Sequence, residues 1–302
     1  LNVVSMLGMF SGATAFNQSV ASFDTTNVTD MSFMFNVCVN FNQSVSTFKT
    51  SNVINMRSML DGCISFNSTI SSATFITSSV TNMSYMFRNC GVFNQTVNFD
   101  TSSVTTMDYM FNFCAAFNQS VSSFNTASVT SMIVMFQGCT IFNQSVSSFN
   151  TANVTNMLGM FASCTAFNQS VASFNTASVT NMLAMFTACT NFNQPVSTFN
   201  TTNVTDMTDM FSSCTAFNQD VSNWNISNVT AINRFMLNKT AADYSAANLD
   251  AIYNITTGWA SRSVQPNLII NFGTIKYTAG GVAGRAILTG APNNWSITDG
   301  GI

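Results

Sequence analysis

The sequence predicts an α/β repeat solenoid of about nine 25-residue turns, each with a short strand and a short helix, closed by a small α+β cap. Three observations predict it. The phrase Phe-Asn-Gln recurs at Phe16, Phe41, Phe93, Phe117, Phe142, Phe167, Phe192 and Phe217, with the variant Phe66-Asn67-Ser68 between the second and third. The spacing is 25 except around residues 70–99, where two extra residues precede Phe75 and one fewer precedes Phe99. Both changes fall in one short segment, as expected of a surface turn that tolerates insertions. Self-similarity at a fixed period of this length is the signature of stacked units that bury a continuous core between neighbours.

The first half of each unit begins at a valine (Val28, Val53, Val80 and so on to Val229). Methionines follow three and six residues later, then a Phe, then a Cys. The spacing of Val28, Met31, Met34, Phe35 and Cys38 is that of one face of a 3.6-residue helix, two to three turns long. Asn or Ser before the valine and Thr after it are natural N-caps. The second half, as in Asn168–Phe174, is rich in Ser, Val and Phe and reads as an extended segment containing a short parallel strand. Neither half buries its apolar face alone, so neighbours complete the core.

These residues resemble a known family. The pattern Val-Thr-x-Met-x-x-Met-Phe-x-x-Cys-x-x-Phe-Asn-Gln-x-Val-Ser-x-Phe is similar to the BspA-like repeats, a divergent leucine-rich-repeat (LRR) group, over residues 1–238. The resemblance implies an LRR-like solenoid, surface-displayed and associated with adhesion and protein interaction, and it brings no catalytic residues. This chain departs from the commoner Val-Ser-x-Trp-Asp by carrying Phe-Asn in most units, with only Trp224-Asn225 keeping the tryptophan.

After Asn238 the pattern stops, and residues 239–302 are expected to form a C-terminal capping region. Ser245 is placed to cap a helix through Leu249, Ile252 and Tyr253, ending near Gly258. Leu268–Phe272 reads as a strand, Gly280–Leu288 as a helix, and Trp295–Thr298 as a final short strand. The family often ends in a similar Trp-x-Ile-Thr-Asp-Gly-Gly segment. Leu1 opens within a repeat, so the expectation is a processed product or a fragment, its first turn covered by further repeats or by another subunit.

Composition narrows function. The chain of 302 residues has 8 Lys+Arg, 11 acids (all Asp) and no histidine, and no charge at all over the 97 residues from Tyr109 to Thr205. Without His there is no Ser-His-Asp or Cys-His relay and no His-containing metal site. So few cations give no nucleic-acid footprint, and no apolar run reaches the ~20 residues of a membrane helix. Asp206 and Asp209 are the one close acidic pair in the last repeats, with no pocket signal beside them. No catalytic residue, cofactor or metal is expected, and the chain is read as not an enzyme.

Each repeated residue type has a bland structural role. The cysteines (among them Cys114, Cys139 and Cys164) lie on the buried face with parallel Cα–Cβ vectors, which disfavours disulfides, and read as buried thiols. The methionines and the Phe ladder (Phe111, Phe136, Phe161) read as core. Asparagines Asn118, Asn143 and Asn168 and their equivalents read as a hydrogen-bonded ladder at a tight turn. Sequon asparagines Asn27, Asn153, Asn203, Asn228, Asn254 and Asn294 are the candidate glycosylation sites. A threonine array is the feature an ice-binding face would need.

The uncharged surface lacks the repulsion that keeps free domains apart. The expected function is therefore interaction: a surface-displayed repeat protein that binds a protein or glycan surface or self-associates, located extracellularly, on a cell or on a virion. A structural subunit of a filament or virion exterior is the alternative, and an ice-binding solenoid a distant one.

Overall fold

A computed structural model describes residues 3–70 and 73–302. The chain divides into two compact units, Leu1–Asn153 and Val154–Ile302.

In the first unit, single parallel β-bridges join equivalent residues of successive repeats: Ser5 to Asp30, then Asn55, Asn82, Thr106 and Ser131. In the second, the same position links Asn156, Asn181, Asp206 and Ala231. This position is two residues after the ladder valine. The strand-like contact therefore lies in the half expected to be helical, not in the Asn168–Phe174 half.

No repeat contains a helix among the described residues. The segment Met31–Cys38 is a ribbon of overlapping turns, with Met34 N–H donating to Met31 O, Asn36 to Phe33 and Cys38 to Phe35. Between these, alternate peptide groups turn out of the ribbon. Met31, Phe33, Phe35 and Val37 donate their N–H groups to Asn55, Arg57, Met59 and Asp61 of the next repeat, at 2.7–3.0 Å. The carbonyls of the same peptide groups accept from Met6, Gly8, Phe10 and Gly12 of the preceding one. The second unit repeats this, with Met182, Ala184, Phe186 and Ala188 donating to Asp206, Thr208, Met210 and Ser212.

Alternation of this kind needs left-handed backbone, which a helix cannot contain. It falls two residues after the first Met and one before the Cys: Phe33 and Val37, Tyr109 and Phe113, Ala184 and Ala188, Asp209 and Ser213. Glycine fills some of these places, as at Gly8, Gly12, Gly62, Gly138 and Gly159. The overlapping i to i+3 turns bury the same Val, Met, Met, Phe, Cys set that a helix would, so the apolar spacing is common to both.

The residues expected to cap helices are instead rungs. Thr29 N–H donates to Val4 O, Ile54 to Thr29, Thr81 to Ile54, Thr105 to Thr81 and Thr130 to Thr105. The buried hydroxyls of Thr25, Thr50, Thr77, Thr101 and Thr126 donate to carbonyls of the following repeat. These bonds satisfy the buried threonine hydroxyls.

The core within each unit consists of stacked columns. The Val, Met and Cys ladders from the second repeat onward are fully buried. In the first unit, Phe111 stacks on Phe87 at 5.4 Å, on Phe136 at 5.7 Å and on Phe117 at 4.2 Å. In the second, Phe161 stacks on Phe167 at 4.2 Å and on Phe186 at 5.8 Å. Rings at these separations, offset and near parallel, add to simple burial.

Both strands and the second helix of the C-terminal region lie close to their expected places, while the first helix ends at Ile252, short of the expected end near Gly258. Helix α1 spans Ala246–Ile252, with Ser245 Oγ accepting from Asn248 N–H. Strand β1 (Ile269–Asn271) pairs in parallel with β2 (Ser296–Thr298), and α2 runs Val282–Thr289 between them. They meet the last repeat by continuing its columns. Asn271 O accepts from Met236 N–H, and the Trp259 indole donates to Val221 O as Trp224 does to Val196 O. Asn218 Oδ1, the end of an asparagine ladder, accepts from Ser245 N–H and Asn248 Nδ2.

Truncating Phe111 to Ala is expected to cost about 3–5 kcal/mol in urea unfolding; a loss below about 1 kcal/mol would contradict a packed column. Ala184→Gly and Ala188→Gly separate the ribbon from a helix by sign. Both residues have φ near +55, so glycine should leave stability unchanged or raised. In a helix interior each substitution would cost about 1 kcal/mol.

Candidate interaction surface

The three ladders singled out from sequence are structural partners. Asn118 Oδ1 accepts from Asn143 N–H and from Gln144 Nε2, and Asn168 Oδ1 accepts from Asn193 N–H and Gln194 Nε2. Each amide thus ties one turn to the next. All eight cysteines are buried thiols, none in a disulfide. Cys114 Sγ donates to Phe87 O and Cys139 Sγ to Phe111 O, both at 2.9 Å, and Cys189 to Phe161 O at 2.8 Å. Cys164 is buried as well. The thiol is the one small apolar side chain that also carries a proton for that carbonyl.

Burial pushes the thiols of Cys38, Cys63, Cys90, Cys114, Cys139 and Cys189 above their ordinary value. Where the tenth cysteine position falls, the chain places Lys239. Only 1% exposed, its ammonium donates to Cys214 O and Thr215 O, and burial lowers its pKa to about 8.

The candidate glycosylation asparagines are all exposed. Asn153, Asn203 and Asn228 donate their side-chain nitrogen, the atom a glycan would take, to Ala127 O, Ala177 O and Thr202 O at 2.8 Å. Glycosylation there would break a rung. Asn27 holds the same place in its repeat. Asn254 uses Oδ1 to accept from Thr256 and Thr257, and Asn294 Nδ2 donates to Pro292 O. Asp209 pairs with Arg234, while Asp206 accepts from Thr208 N–H; the two acids do not form a dyad.

The residues that stand out are ones the ladders do not include. On the outer side of the turn ribbon, the left-handed position after the first Met holds Gly159, Ala184, Asp209 and Arg234 in the second unit, and the position before the Cys holds Ser163, Ala188 and Ser213. In the first unit the same left-handed column holds Phe33, Ser58, Tyr85 and Tyr109 in consecutive turns, with Arg57 in the column just before it. The Arg57 guanidinium lies 6.0 Å from the Phe33 ring centroid and 4.6 Å from that of Tyr85, and Tyr85 stacks on Tyr109 at 4.5 Å. Arg88 also lies over Tyr85, at 4.9 Å. It forms a two-bond pair with Asp61, Nε to Oδ1 at 2.9 Å and Nη2 to Oδ2 at 2.8 Å, and this pair raises the Arg88 pKa.

Beside this column lies an open groove of about 420 Å3. Val37, Val39 and Ile64 form one wall and Phe113 the other, with Gly62, Asn89 and Gly91 between. Phe113 is 52% exposed and left-handed, an outlier for an aromatic residue. Its ring occupies the space above Gly138, where a Cβ would come within 2.5 Å of it. Every turn has this left-handed backbone before its cysteine, so what sets Phe113 apart is its large exposed ring. No group of three or more His, Cys, Asp or Glu that could hold a metal occurs among the described residues, and no helix there is long and apolar enough to cross a membrane.

The family described as a Mycoplasma protein of unknown function, DUF285, matches residues 1–97, 73–169 and 145–251. The chain belongs to that family. The three overlapping matches run through the repeats and end within the helix α1 region, so the family is a repeat family and its pattern is the one that builds the turns. No curated protein matches the chain.

Two measurements check this chemistry. A thiol whose folded pKa is raised contributes stability in full below its unfolded value near 9 and loses it as pH climbs toward the folded value. Unfolding midpoints should therefore fall steeply above pH 9 as the unfolded chain's thiols ionise. Lys239 acts oppositely between pH 8 and 10.5, where only the unfolded chain keeps that proton, and one amine is outweighed by six thiols. A midpoint flat to pH 11 would contradict the buried column. Gly138→Ala should destabilise by about 1 kcal/mol or more, since it adds a Cβ at φ +75 against the Phe113 ring. Removing the ring first, as Phe113→Gly, should halve that penalty or better.

Proposed function

We propose that the chain is a non-enzymatic, surface-displayed protein of the BspA-like kind, its stacked turns forming LRR-like solenoid segments that act by protein–protein interaction or adhesion. The observation that carries this reading is the break in the repeat consensus on the ribbon face of the first unit. There four aromatic residues, Phe33, Tyr85, Tyr109 and Phe113, stand at left-handed positions that hold no aromatic residue in the second unit, and Arg57 and Arg88 lie over the Tyr85 ring. Tyr and Arg are the side chains most enriched at binding hot spots. The lack of histidine and glutamate, and the use of Asp209 and Asp61 in ion pairs, favour binding over catalysis. An extracellular, cell-surface or virion-surface location accords with the charge-poor surface.

A second reading, a structural subunit of a filament or virion exterior, draws on the 97 uncharged residues from Tyr109 to Thr205. An ice-binding face is disfavoured because the outer threonines are engaged: Thr105, Thr130, Thr180, Thr205 and Thr230 each donate the hydroxyl to the preceding repeat's carbonyl.

Sedimentation velocity with intact-mass analysis of the natively purified protein tests the proposal. A binding protein is expected to sediment as a monomer across a wide concentration range. Concentration-dependent oligomers or filaments of unmodified mass would replace it with the structural reading.

A further inference from the structure

No further inference is drawn: the strongest candidate, the open apolar groove between Val37 and Phe113 on the ribbon face of the first unit, has a charge-neutral lining in which Arg88 is paired with Asp61, and nothing in the structure shows what covers it.

Discussion

The structure depends on peptide groups that bond alternately in two directions. Along the ribbon, every second group closes an i to i+3 turn; between them, each group lies along the stack with its carbonyl toward the preceding repeat and its N–H toward the next. A β-strand sends its groups only sideways and an α-helix only along its own axis. Here one segment does both, and left-handed residues are the condition for it. Such backbone costs roughly 1–2 kcal/mol per non-glycine residue, and the columns of aligned peptide dipoles repeat the stabilising geometry at every turn. The side-chain ladders follow from this register. Once the backbone of each turn is fixed relative to its neighbour, Asn118 meets Asn143, Cys139 meets the Phe111 carbonyl, and rings stack on rings.

This explains what was legible beforehand. The phase of the repeats, the identity of the core columns and the positions of α1, β1, α2 and β2 could be read because burial and turn chemistry leave periodic marks. The conformation of the Val-to-Cys segment could not, because Val28, Met31, Met34, Phe35 and Cys38 are equally well buried by a helix or by overlapping turns. The discriminating signal lay in residues outside the apolar set. Gly8 with Gly12, then Gly62, Gly138 and Gly159, sit where a helix would gain nothing from glycine and a left-handed turn gains most.

The candidate surface was illegible for a related reason. Attention to what repeats passes over what does not, and Tyr85, Tyr109, Arg57 and Phe113 are departures from the pattern. Placing every repeat on the same columns would have brought them into one face, since equivalent positions in a stack are neighbours in space. The sequon asparagines mislead in the opposite sense. Asn153, Asn203 and Asn228 match a modification motif, yet the same amide nitrogen ties adjacent turns together.

The layering has a mechanical consequence. Within each unit, consecutive turns are joined by bonds that lie parallel to the stack, so a load applied along that direction is borne by every interface in series and the weakest yields first. Such an interface yields by peeling rather than shear, and each event frees a single repeat of 25 residues, about 80–90 Å of extended chain. A stack under tension would then lengthen in equal increments while the remaining turns keep their structure, giving it the behaviour of an extensible tether with a force limit set by one rung.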